Sequence, residues 1–332
     1  IRDLVRSRGL GDVYKRQTVS RVMNNSGSVN DETRARILKV IKDLKYQPSR
    51  VAKRLRSKSV SSNLLGVLIP DIQNPFYVEV LRGIEDIAYT NNYAILMCNY
   101  SQDEKKEKFY LEILQSESID GLIAAPANEH DVQLKNMVRE GLPVVCVDRG
   151  LEDEDVDIVV VDNRQGAYKA VAHLIKLGHK RIAYISGLQT IPSSRYREQG
   201  YMDALTEYNL PVLPELVRHG DSKYEGGLEL CDELLSLQEP PDAIFTGNNL
   251  ITLGALESIH THRLRIPEDI AIVGFDDMIW SNSLNPPLTA IRQPAYDIGK
   301  RACELLLQRI SEPARACIKM ILKTELIIRK ST

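Results

Sequence analysis

A chain of 332 residues with 43% hydrophobic and 27% charged side chains has an ordinary globular composition, and its length exceeds what one core usually serves, so two or three compact units are expected. No apolar run nears the roughly 20 residues that cross a bilayer, and the mixed, basic start has no apolar core or small-residue cleavage site, which reads as a cytoplasmic protein with no membrane role. The formal net charge of −2 hides an asymmetry: residues 1–60 carry 16 Lys and Arg against 5 Asp and Glu, the remainder 27 against 40. A basic head on an acidic body fits a head that meets a polyanion while the body stays in solution.

In chain order, Thr18-Val19-Ser20-Arg21-Val22-Met23-Asn24 predicts a short helix. Asn24-Asn25-Ser26-Gly27 stops it, because Asn and Gly tolerate the backbone of tight turns. Asn30-Asp31-Glu32-Thr33 supplies a cap and first-turn acids for a second helix. There Ile37, Val40, Ile41 and Leu44 fall at i, i+3, i+4 and i+7, one apolar face, and Pro48 closes the unit. Residues 49–57 form another short helical stretch, with Val51, Ala52 and Leu55 among Arg50, Lys53, Arg54 and Arg56, followed by a polar linker.

From Leu64 the rhythm changes to strand, loop, helix. Short apolar runs occur at 64–69, 93–97, 121–125, 144–147, 158–161, 182–185, 243–245 and 270–273. Amphipathic stretches of helix length lie between most of them, including 76–90, 105–117, 166–177 and 250–260. Continuous apolar strands separated by helices predict parallel sheets wrapped in helices. The number of strands exceeds one small sheet, so two similar α/β lobes are expected. The five cysteines, Cys98, Cys146, Cys231, Cys303 and Cys317, are scattered, several within apolar runs, and read as buried reduced thiols.

Thr18 to Asn25, Val29 to Arg34 and Leu44 to Ala52 closely resemble the DNA-binding head of the lactose-repressor (LacI/GalR) family. The body agrees in family order: Asp71-Ile72-Gln73-Asn74-Pro75-Phe76-Tyr77, Asp120-Gly121-Leu122-Ile123, Val147-Asp148-Arg149, Gly178-His179-Lys180-Arg181-Ile182, Val273-Gly274-Phe275-Asp276-Asp277 and Pro286-Pro287-Leu288-Thr289. The resemblance implies an α/β chain with an N-terminal helix-turn-helix head and a two-lobed sensor similar to periplasmic binding proteins. The corresponding domains are residues 18–47 for the head, 48–63 for hinge helix and linker, and 64–332 for ligand binding and dimerisation. Within the last, one lobe is expected at about 64–161 and 292–322, the other at about 162–291 and 323–332.

The implied function is that of a homodimeric transcriptional regulator, a repressor, that binds operator DNA under control of a small-molecule effector, a sugar or sugar derivative. Thr18, Val19, Ser20, Arg21 and Asn24 match the helix that enters the major groove, where base edges differ by hydrogen-bond pattern. Thr18, Ser20 and Arg21 suit base edges and phosphates, while Val19 and Val22 face a small core. Arg50, Ala52, Lys53, Arg54 and Leu55 match the hinge, with Leu55 as a wedge between base steps in the minor groove, its unstacking cost offset by contacts to the bent duplex.

Ligand positions carried over from the family are Asp71, Asn74, Phe76, Tyr77 and Asp148 on one lobe, and Ser193, Arg197, Asn248, Asp276 and Trp280 on the other. Most follow strand C-termini, the ligand edge of open α/β sheets. Carboxylates that accept from hydroxyls and arginines that donate in pairs suit a polyol, and Trp280, the only tryptophan, could stack on a sugar ring. Other roles are open at some of these positions: Asn74 caps a helix starting at Pro75, Phe76 belongs to the core, and Asp277 is structural.

Catalysis finds no support. The six histidines have no metal spacing, no Gly-x-Gly-x-x-Gly follows a strand, and no nucleophile stands with a base, so neither cofactor nor metal is expected. This disfavours a Rossmann-type enzyme. A sugar-binding protein without a DNA role is the other alternative, and it should lack residues 18–57. The first 17 residues depart from the family: Ile1-Arg2-Asp3-Leu4-Val5 faintly echoes the usual first helix, but Gly9 to Gln17 has the wrong spacing and resembles translated adaptor sequence. On that reading the positioning helix is missing from this chain. The alternative is a first helix at 1–8 with a longer turn.

Overall fold

The computed structural model describes residues 18–22, 27–44, 62–152 and 155–332, and the chain divides into two units at Ser62–Asn63. In the first unit residues 18–22 are helical, with Val22 buried, Val19 half-buried and Arg21 exposed. A second helix, α1 (Asp31–Asp43), starts where Asn30 Oδ1 accepts the Thr33 N–H at 2.8 Å, satisfying a donor that the first turn leaves unpaired. Of the expected apolar face, Ile37 and Ile41 are half-buried, whereas Val40 and Leu44 are exposed. The expected DNA contacts Asn24, Arg50, Ala52, Lys53, Arg54 and Leu55, and residues 1–17, lie outside the described residues.

The second unit is built on two six-stranded sheets. The first takes β1 (Leu64–Ile69), β2 (Ala94–Asn99), β3 (Gly121–Ala124), β4 (Val144–Val147), β5 (Asp157–Val161) and, late in the chain, β11 (Lys319–Leu322), all parallel, in the order β11-β5-β4-β3-β1-β2. The second takes β6 (Ile182–Ser186), β7 (Val217–His219), β8 (Ala243–Thr246), β9 (Ala271–Phe275), β10 (Thr289–Arg292) and β12 (Glu325–Ile327), in the order β12-β10-β9-β8-β6-β7, with only β12 antiparallel. The chain crosses between the lobes after β5, after β10 and after β11. Leu-Ile-Val runs such as β1, β3, β4 and β9 are buried nearly throughout, as expected of parallel strands covered on both faces. No helix of the described residues is long and apolar enough to cross a membrane. Cys98, Cys146, Cys231 and Cys303 are buried free thiols, while Cys317 is exposed.

The connecting helices are α2 (Pro75–Thr90), α3 (Glu104–Ser116), α4 (Val132–Arg139), α5 (Asn163–Lys176), α6 (Pro192–Glu207), α7 (Tyr224–Leu235), α8 (Asn249–Thr261) and α9 (Ala295–Ser311). Asn74, Asp103, Asp131, Asp162 and Asn248 each cap the helix that follows them. On the first lobe α2 and α9 approach at glycines: a Cβ on Gly83 would lie 2.1 Å from the Tyr296 carbonyl oxygen, and one on Gly299 would lie 1.9 Å from that of Val80. Gly299→Ala therefore forces the helices apart, and we expect it to lower stability by about 1–3 kcal/mol or more in urea unfolding.

The loop after β3 is held from behind by Glu107. This side chain is fully buried, its Oε1 accepts the Ala127 N–H at 2.9 Å, and its other oxygen is buried without a hydrogen-bond partner. Burial, and after it the neighbouring Asp131 carboxyl, outweigh the Ala127 N–H and Arg149 and push the Glu107 carboxyl up to about 8. The native state thus keeps a proton that the unfolded chain releases near pH 4–5, so stability should fall as pH rises through the window from about 4.5 to about 8 and level off above it. Glu107→Gln, which resembles the protonated form, should remove that slope. Unfolding of both proteins at pH 5, 7 and 9 checks it, and an unchanged difference between them across that range would count against the assignment.

Candidate ligand-binding site

The strand C-termini of the two sheets converge on one cavity inside the second unit. From the first lobe, Asp71, Asn74, Phe76 and Tyr77 follow β1, Gln102 follows β2, and Asp148 and Arg149 follow β4. From the second, Ser193, Ser194 and Arg197 lie on α6, Ser222 follows β7, Asn248 follows β8, Asp276 follows β9 and Gln293 follows β10. The enclosed volume is only about 50 Å³, so the lobes stand close together.

On the first lobe, Tyr77 Oη donates to Asp148 Oδ2 at 2.9 Å, and Arg149 Nη2 lies 3.4 Å from Tyr77 Oη. Burial, then the Asp148 carboxylate, push the Tyr77 hydroxyl well above its ordinary range, so it stays a donor. Arg149 is itself buried; its Nε lies 3.5 Å from Asp148 Oδ2 in an ion pair, while its Nη1 has no hydrogen-bond partner. Asn74 fills two roles at once: its Oδ1 caps α2 by accepting the Phe76 N–H at 2.9 Å, and also accepts from Asn249 Nδ2 of the other lobe at 2.8 Å.

On the second lobe, Arg197 Nε donates to Asn163 Oδ1 at 2.8 Å and Nη1 to the Gly247 carbonyl at 2.6 Å, with the guanidinium 3.7 Å from the Phe275 ring centroid. These contacts hold a buried cation flat. Asp276 Oδ2 accepts the Asn249 N–H at 3.3 Å and Oδ1 accepts from Gln293 Nε2. Burial pushes the Asp276 carboxyl up, against the pull of Arg197, Gln293 and the Asn249 N–H. Asn248 Oδ1 caps α8 through the Ile251 N–H at 2.8 Å, and its Nδ2 donates to the Ser222 carbonyl at 3.0 Å. Four lining residues, Gln102, Asp148, Ser222 and Asp276, have φ of +62°, +64°, +69° and +80°. That left-handed backbone is costly for non-glycine residues and gathers at functional sites.

Nine of the ten ligand positions drawn from the family resemblance line this cavity; Trp280 does not. It sits in the 3₁₀ turn Ile279–Asn282 and packs, partly buried, against the second lobe's core. There the Met278 N–H donates to the buried Ser281 Oγ at 3.1 Å, and the turn so formed lays the indole on apolar neighbours. Phe76 is both core and lining, and Asp277 is bound by Arg292 and Arg329. The residue-level reading missed Gln102, Arg149, Ser194, Ser222 and Gln293. For Arg149, its position just after the apolar run at 144–147 was the one signal that could have found it. Among the described residues no cluster of His, Cys, Asp and Glu could hold a metal ion.

A family model described as periplasmic binding proteins and sugar binding domain of LacI family matches residues 62–329, and one described as bacterial regulatory proteins, lacI family, matches residues 16–49. Catabolite control protein A of Priestia megaterium is 37% identical over 296 residues, 89% of this chain and 89% of that protein. The ribose operon repressor of Halalkalibacterium halodurans is 33% identical over 95% of this chain and 92% of its own length. The crystal structure of a LacI family transcriptional regulator from Enterococcus faecium with bound ribose is similar at a TM-score of 0.74 and 30% identity, over 81% of this chain and 98% of that one. The match at 16–49 covers a segment that a binding protein without a DNA role would lack. The chain therefore belongs to the LacI family and is a DNA-binding transcriptional regulator, not an enzyme, with an effector-binding domain.

Proposed function

We propose that the effector is a neutral sugar of monosaccharide size, held between the lobes, and that the chain acts as a homodimeric repressor on a near-palindromic operator. The observation that carries the effector reading is the set of buried polar atoms around the cavity without a hydrogen-bond partner: Arg149 Nη1 as a donor, Asn249 Oδ1 and Gln293 Oε1 as acceptors. Such atoms are expensive without a partner, and a ring bearing hydroxyls, each both donor and acceptor, can serve both kinds at once. The carboxylates of Asp71, Asp148 and Asp276 stand against the guanidiniums of Arg149 and Arg197, and both guanidiniums already face protein partners, which disfavours a phosphorylated ligand. The relative named for a ribose operon and the similar structure with bound ribose point to a pentose.

In the head, Thr18, Val19, Ser20, Arg21 and Asn24 are the proposed groove contacts. Arg50, Ala52, Lys53, Arg54 and Leu55 are the proposed hinge contacts, with Leu55 the wedge. Two such heads on a two-fold dimer read two half-sites.

Thermal shift with D-ribose, other pentoses, hexoses, ribose 5-phosphate and purine bases tests the effector reading, because a ligand of the native state alone raises its stability. A neutral sugar should give the largest shift. Arg197→Ala and Asp276→Asn should each weaken it about 10-fold or more, since each leaves a buried partner unpaired. A larger shift with ribose 5-phosphate or a purine would sink the neutral-sugar reading. For DNA, selection from random duplexes should enrich a near-palindrome, whose affinity falls steeply with rising salt as phosphate counterions are released. Arg21→Ala should weaken that binding, and affinity insensitive to salt would contradict the proposed interface.

A further inference from the structure

Among the described residues, two side-chain pairs join the lobes away from the crossing strands. Asn74–Asn249 lies in the cavity wall, neutral and buried. The other is charged and partly open to solvent: Arg195 Nη2 on α6 of the second lobe donates to Glu129 Oε2 of the first, in the loop after β3, with side-chain exposures of 41% and 28%. Each partner is held from behind. Arg195 Nη1 also donates to the Gln189 and Thr190 carbonyls at 3.1 Å each. The Glu129 loop is tied to α3 by the Ala127 N–H on Glu107 and by Asn128 Nδ2 on Glu104 Oε1 at 2.9 Å, and closed on itself by the His130 N–H on Asn128 Oδ1 at 2.8 Å. The Glu129 carbonyl further accepts the Glu152 N–H at 2.9 Å.

The segment gripped by Arg195 belongs to the cavity wall. Gly187, Ile191, Ser193 and Ser194 all line the cleft, and Ile191 is only 5% exposed. A ligand enclosed there can leave only if this wall draws away from the first lobe, and that separation breaks the Glu129–Arg195 pair. A partly exposed ion pair between preset side chains is weak and screened by salt, which suits a contact that must open and close repeatedly.

We propose that Glu129 and Arg195 form a latch across the cleft, whose strength sets how long the effector is retained and how readily the empty lobes part. The retention half of this rests on the cleft being the effector site; the opening half does not. The pair is a positioning device: neither Glu129 nor Arg195 is part of the cavity lining.

Both halves are tested on the full chain with Glu129→Gln, Arg195→Ala and the reversed pair Glu129→Arg with Arg195→Glu. Without ligand, amide hydrogen exchange over residues 125–131 and 187–195 should quicken in each single variant, quicken in the unaltered protein when salt rises, and return toward the unaltered rate in the reversed pair. With D-ribose, stopped-flow dissociation should quicken by about 5-fold in the single variants, the scale of an exposed pair, with the association rate little changed and recovery in the reversed pair. Absence of any D-ribose binding would count against the pentose reading alone, leaving hydrogen exchange to decide the latch. Unchanged exchange in both single variants, or no recovery in the reversed pair, overturns the latch.

Discussion

Parallel strands carry their C-terminal ends to one edge of a sheet, and most of what the second unit can do descends from that constraint. Each strand end is followed by a short loop into a helix, so polar side chains that cannot enter the core collect there. Here two such edges contribute to one cavity, and three crossings of the chain join the lobes. Residues as distant in sequence as Asn74 and Asn249 become hydrogen-bonded neighbours. The rest of the architecture serves this convergence. Glycines let α2 and α9 approach closely on the first lobe, and Asp157, fully buried, accepts from Arg309 Nε at 3.0 Å, Arg315 Nη2 at 2.7 Å and the Ile318 N–H at 2.8 Å. It thereby ties the segment between α9 and β11 to the first sheet. A buried carboxylate of this kind is costly unless fully partnered, and here it is.

The cavity departs from the economy of the cores around it. Its lining includes four non-glycine residues in the left-handed region and borders several buried polar atoms without partners. Each such feature costs on the order of 1–3 kcal/mol in an otherwise well-ordered fold. Their meeting at one cavity, with Arg149 and Gln293 in the same lining, supports the reading that a ligand supplies there what the protein leaves open. The charge pattern narrows the partner: carboxylates and guanidiniums are nearly matched, and the guanidiniums are already oriented by Asn163, Gly247, Tyr77 and Asp148. A preset, nearly balanced wall favours a ligand that donates and accepts without bringing a net charge.

Legibility in the sequence followed the physics of burial. Eight apolar runs became strands, because a strand buried on both faces must be apolar almost continuously. The strands that escaped, β7, β10, β11 and β12, are only three or four residues long, and β7, β11 and β12 are half-exposed or alternate with solvent, so no run announces them. Among site residues Asp71, Asp148 and Asp276 line the cavity, since their chemistry and their place after a strand point the same way. Gln102 and Ser222 did not stand out: a left-handed backbone is signalled by Gly or Asn, and these positions carry neither. Trp280 misled for a physical reason. A lone indole suits a sugar face, but it suits an apolar core as well, and the local hydrogen bonds of its 3₁₀ turn decide between them.

An effector can shift the lobes only by the difference between its affinities for their open and closed arrangements. In this structure part of that difference is already present in the protein: the Asn74–Asn249 bond and the Glu129–Arg195 pair are contacts that lobe separation breaks. Both favour closure without a ligand. A ligand whose hydroxyls meet both walls adds favourable contacts on both lobes, so its binding energy is expressed largely as closure. A ligand meeting only one lobe would gain contacts without changing the balance. On the proposed reading the response requires a ligand that reaches both walls at once, which makes the spacing between the two lobes, more than any single side chain, the measure of which ligand acts.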